Sequence, residues 1–220
     1  MKVKLITFHN KRYKAISNLC DVRFSCFCLN NNYDYENKFI VEDNPLFARL
    51  YKCKMILSVL SESKFDYIIY SDIDVAIKNC NYDIFKNYSF CKDITFSKDC
   101  HGLCSGFIVI KNTDFSKKFF ETCLFLKSHE EENCKQTRSL FSWNGKYDLA
   151  SIADQELIKS LYYGYKYIRN NLDIDLREDI VSNQNSNKDC ILKSFAHHYW
   201  ASGFDMKNLE IKMSQDILKF

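Results

Sequence analysis

Proline and glycine are nearly missing from this chain, with 1 Pro and 5 Gly in 220 residues. That excludes collagen-like repeats and Pro- or Gly-rich linkers. No stretch approaches the ~20 consecutive apolar residues that a membrane-spanning helix needs. The opening segment from Met1 to Phe8 sets charge beside a short apolar run. No small-residue cleavage site follows it before His9-Asn10-Lys11-Arg12, so it reads as a first strand and not as a leader. Charge of one sign is lacking as well. Lys+Arg 31 against Asp+Glu 28 leave a formal +3, too balanced to imply a nucleic-acid partner. Cysteine is abundant at 11, but the number is odd, the spacing is scattered and no C-x-x-C pair occurs. Thiols in a reducing cytosol fit this better than a disulfide framework. Cys100-His101 and Cys104 have no second ligand pair at zinc spacing and read as structural.

Apolar residues are plentiful, at 46% hydrophobic and 15% aromatic. A chain of this length buries roughly 70% of its unfolded surface, so one self-sufficient domain over 1–220 is expected. Val3 to Phe8 predicts a strand, Arg12 to Leu19 a helix, and Val22 to Leu29 a second strand closed by a turn at Asn30-Asn31-Asn32. Leu46 to Leu60, just after Pro45, has the spacing of one helical face. Phe65 to Tyr70 is a short apolar run bounded by charges, expected as a buried strand. Further strands are predicted at Asp93 to Ser97, Phe107 to Lys111, Tyr165 to Ile168 and Ile191 to Ala196. Helices are predicted at Asp114 to Lys127 and Ile152 to Tyr162, with an irregular loop at Ser128 to Tyr147. Alternating strands and helices make the class α/β with a mostly parallel sheet.

The sharpest motif is Tyr70-Ser71-Asp72-Ile73-Asp74, where an apolar strand ends in Asp-x-Asp. Ligands in open α/β sheets gather at the carboxyl ends of strands. Two carboxylates so placed suit a hard divalent cation, Mg²⁺ or Mn²⁺, which can neutralise a diphosphate. A solvated turn is the bland alternative, but apolar neighbours on both sides make unpaired carboxylates costly. Ser105-Gly106 precedes another apolar strand, and the glycine allows close approach of a ligand, or serves turn geometry alone. Asp154-Gln155 opens a helix, where Asp154 is equally a plain N-cap. His197-His198 follows a late strand and offers a third metal ligand.

In this order the motifs resemble the GT-A glycosyltransferases that use nucleotide-diphosphate sugars, most of all retaining galactosyl-, glucosyl- and mannosyltransferases. The resemblance runs through Asp72-x-Asp74, Ser105-Gly106, Asp154-Gln155 and His197/His198 to Gly203. It implies a single Rossmann-like GT-A domain and transfer of a hexose, from a UDP-sugar, to a glycan or other hydroxyl acceptor. By the same resemblance Asp72, Asp74 and His198 (or else His197) hold Mn²⁺ or Mg²⁺. Thr7, Asn10, Tyr13, Arg49, Asp72, Ser105 and Gly106 contact the donor, and Lys52 approaches it. Asp154 and Gln155 then sit at the anomeric centre. The family's His-x-x-Gly-x-x-Lys is departed from: Gly203 stands five positions after His198 and Lys207 four beyond that. A soluble cytoplasmic enzyme is expected, with peripheral membrane association through a basic carboxyl-terminal helix left open.

Two other readings share the D-x-D. Haloacid-dehalogenase-type phosphatases use its first Asp as nucleophile. They want Thr two positions after the second Asp, where this chain has Ala76. The other is a non-catalytic sugar- or nucleotide-binding domain.

Overall fold

The structure is a computed structural model that describes residues 1–41, 45–99, 102–128, 154–176, 180–183, 194–199 and 206–217. Strand β1 (Val3–His9) leads through a 3₁₀ turn (Lys11–Tyr13) into helix α1 (Lys14–Asn31). This single helix replaces the predicted short helix and the predicted strand at Val22 to Leu29. Cys20, Phe24 and Cys28 recur at i, i+4, i+8 and are buried with Phe27, whereas Val22 and Leu29 are 69% and 80% exposed. A strand would have put Val22 on the same face as Phe24. The helix stops at Asn32, whose φ of 57° is left-handed, and Tyr33 donates its N–H back to the Cys28 carbonyl.

Strand β2 (Asp34–Phe39) follows, then α2 (Pro45–Ser61), β3 (Tyr67–Ser71), β4 (Val75–Ile77) and the short α3 (Ile84–Asn87). Strands β5 (Ile94–Asp99) and β6 (Gly102–Lys111) precede α4 (Asp114–Ser128). The predicted loop after Ser128 lies outside the described residues. Next come α5 (Asp154–Gly164) and α6 (Lys166–Asn171), so the predicted strand at Tyr165 to Ile168 is helical. Tyr165 and Tyr167 are 59% and 68% exposed, which a buried strand could not tolerate. The strand instead is β7 (Leu172–Leu176), followed by β8 (Val181–Asn183), β9 (Ala196–His198) and α7 (Met206–Ile217). The last predicted strand therefore begins at its expected end, and 191–193 lie outside the described residues. Helix α7 is neutral, not basic, since Glu210 and Asp216 match Lys207 and Lys212. It buries Leu209 and Met213. No helix among the described residues is long and apolar enough to cross a membrane.

The main sheet has the order β2-β1-β3-β6-β5-β7, and β4-β9-β8 form a second one. Five of the six main strands point the same way, with β6 alone reversed. One face packs under α1 and α7 around Phe24, Phe27 and Phe195. The other packs under α2, α4 and α5 around Ile56, Leu60 and Phe120. Each such side chain contributes about 1.5–3 kcal/mol through burial.

One irregularity shapes the site. Phe96 pairs with Ile108, but the next residue, Ser97, pairs with Cys104. Ser105, Gly106 and Phe107 thus fall between two successive pairings of the β5–β6 ladder, a bulge that re-aims this stretch of β6. Phe107 keeps its pairing to Ser71 at the end of β3.

Candidate active site

The D-x-D turn is built by backbone hydrogen bonds. Asp72 donates its N–H to the Gly106 carbonyl at 2.7 Å, and Val75 donates to the Asp72 carbonyl at 3.1 Å. Strand β4 then pairs antiparallel with β9, placing Val75 opposite His198, and Tyr199 donates its N–H to the Asp74 carbonyl at 3.0 Å.

Alternation along β9 separates the two histidines. His197 Nδ1 hydrogen-bonds Ser182 Oγ at 2.9 Å, and its ring meets Tyr199 edge-on at 4.5 Å. His198 faces the other way, with Nε2 3.4 Å from Asp74 Oδ1 and Nδ1 3.4 Å from Cys104 Sγ. One ligand atom from each of Asp72, Asp74 and His198 lies within 4.8 Å of the others. Asp74 and His198 are buried, while the Asp72 side chain is 31% exposed, so the cluster is closed behind and open in front. Burial disfavours the His198 imidazolium, but the Cys104 sulfur and the Asp74 carboxylate outweigh it and hold the imidazole well above its usual range. The ring lies directly over Gly106, so the group that uses the missing side chain is His198 itself.

Lys52 reaches this cluster from α2. It is buried, its Nζ lies 3.3 Å from Asp72 Oδ1, and it donates to the Ser105 carbonyl at 3.0 Å and hydroxyl at 3.2 Å. The Tyr70 hydroxyl donates to the same Asp72 oxygen at 2.6 Å, and Lys52 also sits 4.9 Å from the Tyr70 ring centre. From α5, Gln155 Oε1 accepts the Ser105 N–H at 3.2 Å. An N–H can only donate, so the oxygen of this amide is the end that faces β6.

Thr7 and Asn10 are buried where β1 leaves the sheet, beside β3 through the pairing of Ile6 with Tyr70. Tyr13, in the 3₁₀ turn, packs on the α1 side of the core. Phe8 belongs to the opposite face, edge-on to Tyr51 at 5.3 Å and 6.2 Å from Tyr70. Arg49 lies on α2 and Asp154 opens α5, but their side chains are outside the described residues. Gly203 lies outside them entirely, and Lys207 is exposed on α7. The structure thus brings together Asp72, Asp74, His198, Ser105, Gly106 and Gln155. Sequence reading missed the Tyr70 hydroxyl, for which its place two residues before Asp72 on one strand face was a signal. It also missed the place of Cys104 behind His198, for which the sequence held none.

No protein-family model matches the sequence, and no curated protein matches it. Solved structures do match its fold. A glycosyltransferase involved in glycosylating the major capsid of PBCV-1 superposes with a TM-score of 0.73 at 11% identity, over 98% of this chain and 100% of that one. The galactosyltransferase LgtC, solved with donor and acceptor sugar analogs, gives 0.54 at 10% identity over 96% and 95%. An active-site variant of LgtC, with glutamine replaced by glutamate, gives 0.53 at 9% over the same shares. The chain therefore has the GT-A glycosyltransferase fold, with its Asp-x-Asp at the carboxyl end of β3.

Proposed function

We propose that this chain is a metal-dependent glycosyltransferase that moves a hexose from a nucleotide-diphosphate sugar, with uridine diphosphate as carrier, to a glycan or other hydroxyl acceptor. One observation carries the reading: two aspartates at a strand end and a histidine from 124 residues later converge, buried on one side and open on the other. The donor set fits the group. Two carboxylates suit Mg²⁺ or Mn²⁺, and the imidazole tips the choice toward Mn²⁺. When bound, the cation would supply Lewis-acid stabilisation of the departing diphosphate.

The residues divide the remaining work. Asp74 and His198 would hold the cation from the buried side of the cluster, and Asp72 would serve both the cation and the donor hydroxyls. Lys52 neutralises Asp72 and holds Ser105 in place. Thr7, Asn10 and Tyr13 line the nucleotide end, and Arg49 approaches from α2. Asp154 holds donor hydroxyls, and Gln155 stands nearest the anomeric carbon. An amide is neither base nor strong nucleophile, so transfer proceeds with retention and the leaving phosphate accepts the acceptor's proton. The active-site glutamine of LgtC supports this assignment. The chain acts as one catalytic domain, a reading supported by its superposition over 98% of its length on 100% of the matched PBCV-1 glycosyltransferase chain.

The test is a panel of nucleotide sugars assayed for Mn²⁺-dependent hydrolysis and thermal protection, with Asp74→Ala in parallel. One donor should be turned over and protect the wild type, adding about 2.7 kcal/mol at ~100 times its dissociation constant. Protection without turnover points to a binding domain. Full activity of Asp74→Ala, or in excess EDTA, rejects the metal assignment.

A further inference from the structure

The cysteine behind the cluster has no part in the chemistry above. Cys104 is buried at 2% exposure, and its Sγ lies 3.4 Å from Nδ1 of His198, on the opposite edge of the ring from the Nε2 that faces Asp74. Cys104 is not among the groups whose ligand atoms converge within 4.8 Å, so it stands behind the histidine and outside the cluster. Its backbone is fixed independently, because Ser97 Oγ donates to the Cys104 carbonyl at 3.1 Å where the β6 bulge begins. The ring is held from below by Gly106, where a Cβ would overlap Cε1, Nδ1 and Nε2.

A metal-binding imidazole carries its proton on the nitrogen turned away from the metal, and a partner there sets the tautomer and the ring orientation. That partner is ordinarily a carboxylate, a carbonyl or water. Here the atom in place is a thiol sulfur, a weak acceptor with no formal charge to hold when protonated. We propose that Cys104 is a positioning residue for His198: its sulfur accepts the Nδ1 proton and fixes the ring so that Nε2 is presented to the divalent cation. The inference rests on the metal-dependent reading of the same cluster.

Cys104→Ala and Cys104→Ser test it in the full-length chain, with Mn²⁺ alone as the first probe. Removal of such partners elsewhere costs 10–100-fold in metal affinity. Cys104→Ala should weaken Mn²⁺ binding, followed by electron paramagnetic resonance of the free ion, by about tenfold or more. Cys104→Ser, whose hydroxyl also accepts, should recover part of that loss. Binding of uridine diphosphate in EDTA should stay within about twofold in both variants, whereas a merely structural defect lowers it together with metal affinity. Thermal midpoints identify any variant that has lost its fold, and Cys104→Ser, closest in volume, then carries the comparison.

Unchanged Mn²⁺ affinity in Cys104→Ala overturns the proposal, whatever happens to its stability. An intense near-ultraviolet sulfur-to-cobalt band in Co²⁺-loaded wild type also overturns it, because Cys104 would then be a ligand. Wild type that binds no Mn²⁺ removes the metal reading and this inference with it. Wild type that binds, loses binding in His198→Ala and keeps it in Cys104→Ala removes this inference alone.

Discussion

A Cβ added to Gly106 would stand 2.3 Å from Cε1 of His198, so the absent side chain and the imidazole claim one volume. The ring has little room to yield, since His198 is buried between Asp74 and Cys104. Gly106→Ala is expected to keep the fold at a cost of about 1–3 kcal/mol while displacing the ring from the cluster. Mn²⁺ affinity should fall by at least about tenfold, a larger loss than any change in binding of metal-free uridine diphosphate. Titration calorimetry of the two ligands makes the comparison, and equal effects on both would reject it.

Lys52 places a positive charge 3.3 Å from an oxygen of Asp72, the same carboxylate that the cation would need. Lys52→Met removes that competitor and at the same time removes attraction for a diphosphate. The two affinities are therefore expected to move in opposite directions, Mn²⁺ tighter and uridine diphosphate weaker. Stability should drop by about 1–3 kcal/mol, because the Ser105 carbonyl loses a buried donor. Both affinities falling together would show that Lys52 acts on the shape of the site and not on its charge.

Gln155 accepts the Ser105 N–H through Oε1, and on the proposed assignment its amide would stand nearest the donor's anomeric carbon. Proton NMR of the first product from an α-linked donor should therefore show an α-glycoside. Gln155→Ala should lower kcat by about 10²-fold with a smaller change in KM, as expected for an interaction made in the transition state. A β-glycoside would overturn both retention and the role of Gln155.

How far the sequence was legible depended on whether local pattern and tertiary context agreed. β3 and its two aspartates were plain because a buried strand between charges leaves few alternatives. α2 was plain because Pro45 and the spacing after it favour the same state. α1 was not: Val22, Phe24, Cys26 and Cys28 also alternate as a strand would, and only packing on the sheet selects the helix. β2 went unseen because Asp34–Phe39 is a polar edge strand whose pairing with β1 leaves its side chains half-exposed. The choice of His198 over His197 depends on the β4–β9 register, which no local pattern encodes.

Asp83 provides a pH-dependent control remote from the D-x-D. Its side chain accepts the N–H groups of Phe85 and Lys86 at the start of α3, accepts the Tyr33 hydroxyl at 3.1 Å and pairs with Lys86 Nζ at 2.9 Å. Partial burial works against its charge, but the hydrogen bonds from Lys86 and Tyr33 outweigh this and hold the carboxyl below its usual 3.8. The folded value is the lower one, so the stabilisation is present above 3.8 and is lost as pH falls through the folded value. Asp83→Ala should cost about 1 kcal/mol at neutral pH, a drop of about 2–4 °C in Tm. In acid the two melting curves should merge, and a gap that persists there would assign the loss to packing.

The pairing of β4 with β9 has a consequence for how the molecule is made. Val75 meets His198 across that ladder, so the loop joining the two halves of the cluster is more than 120 residues long. On a ribosome, a nascent chain that already displays both aspartates does not yet have His198 to set beside them. On the proposed metal reading, competence to bind an ion would arrive late and all at once, when β9 docks. A cation bound there would act as a cross-link over the whole intervening chain, tying β9 to the end of β3 and coupling its binding to the stability of what lies between.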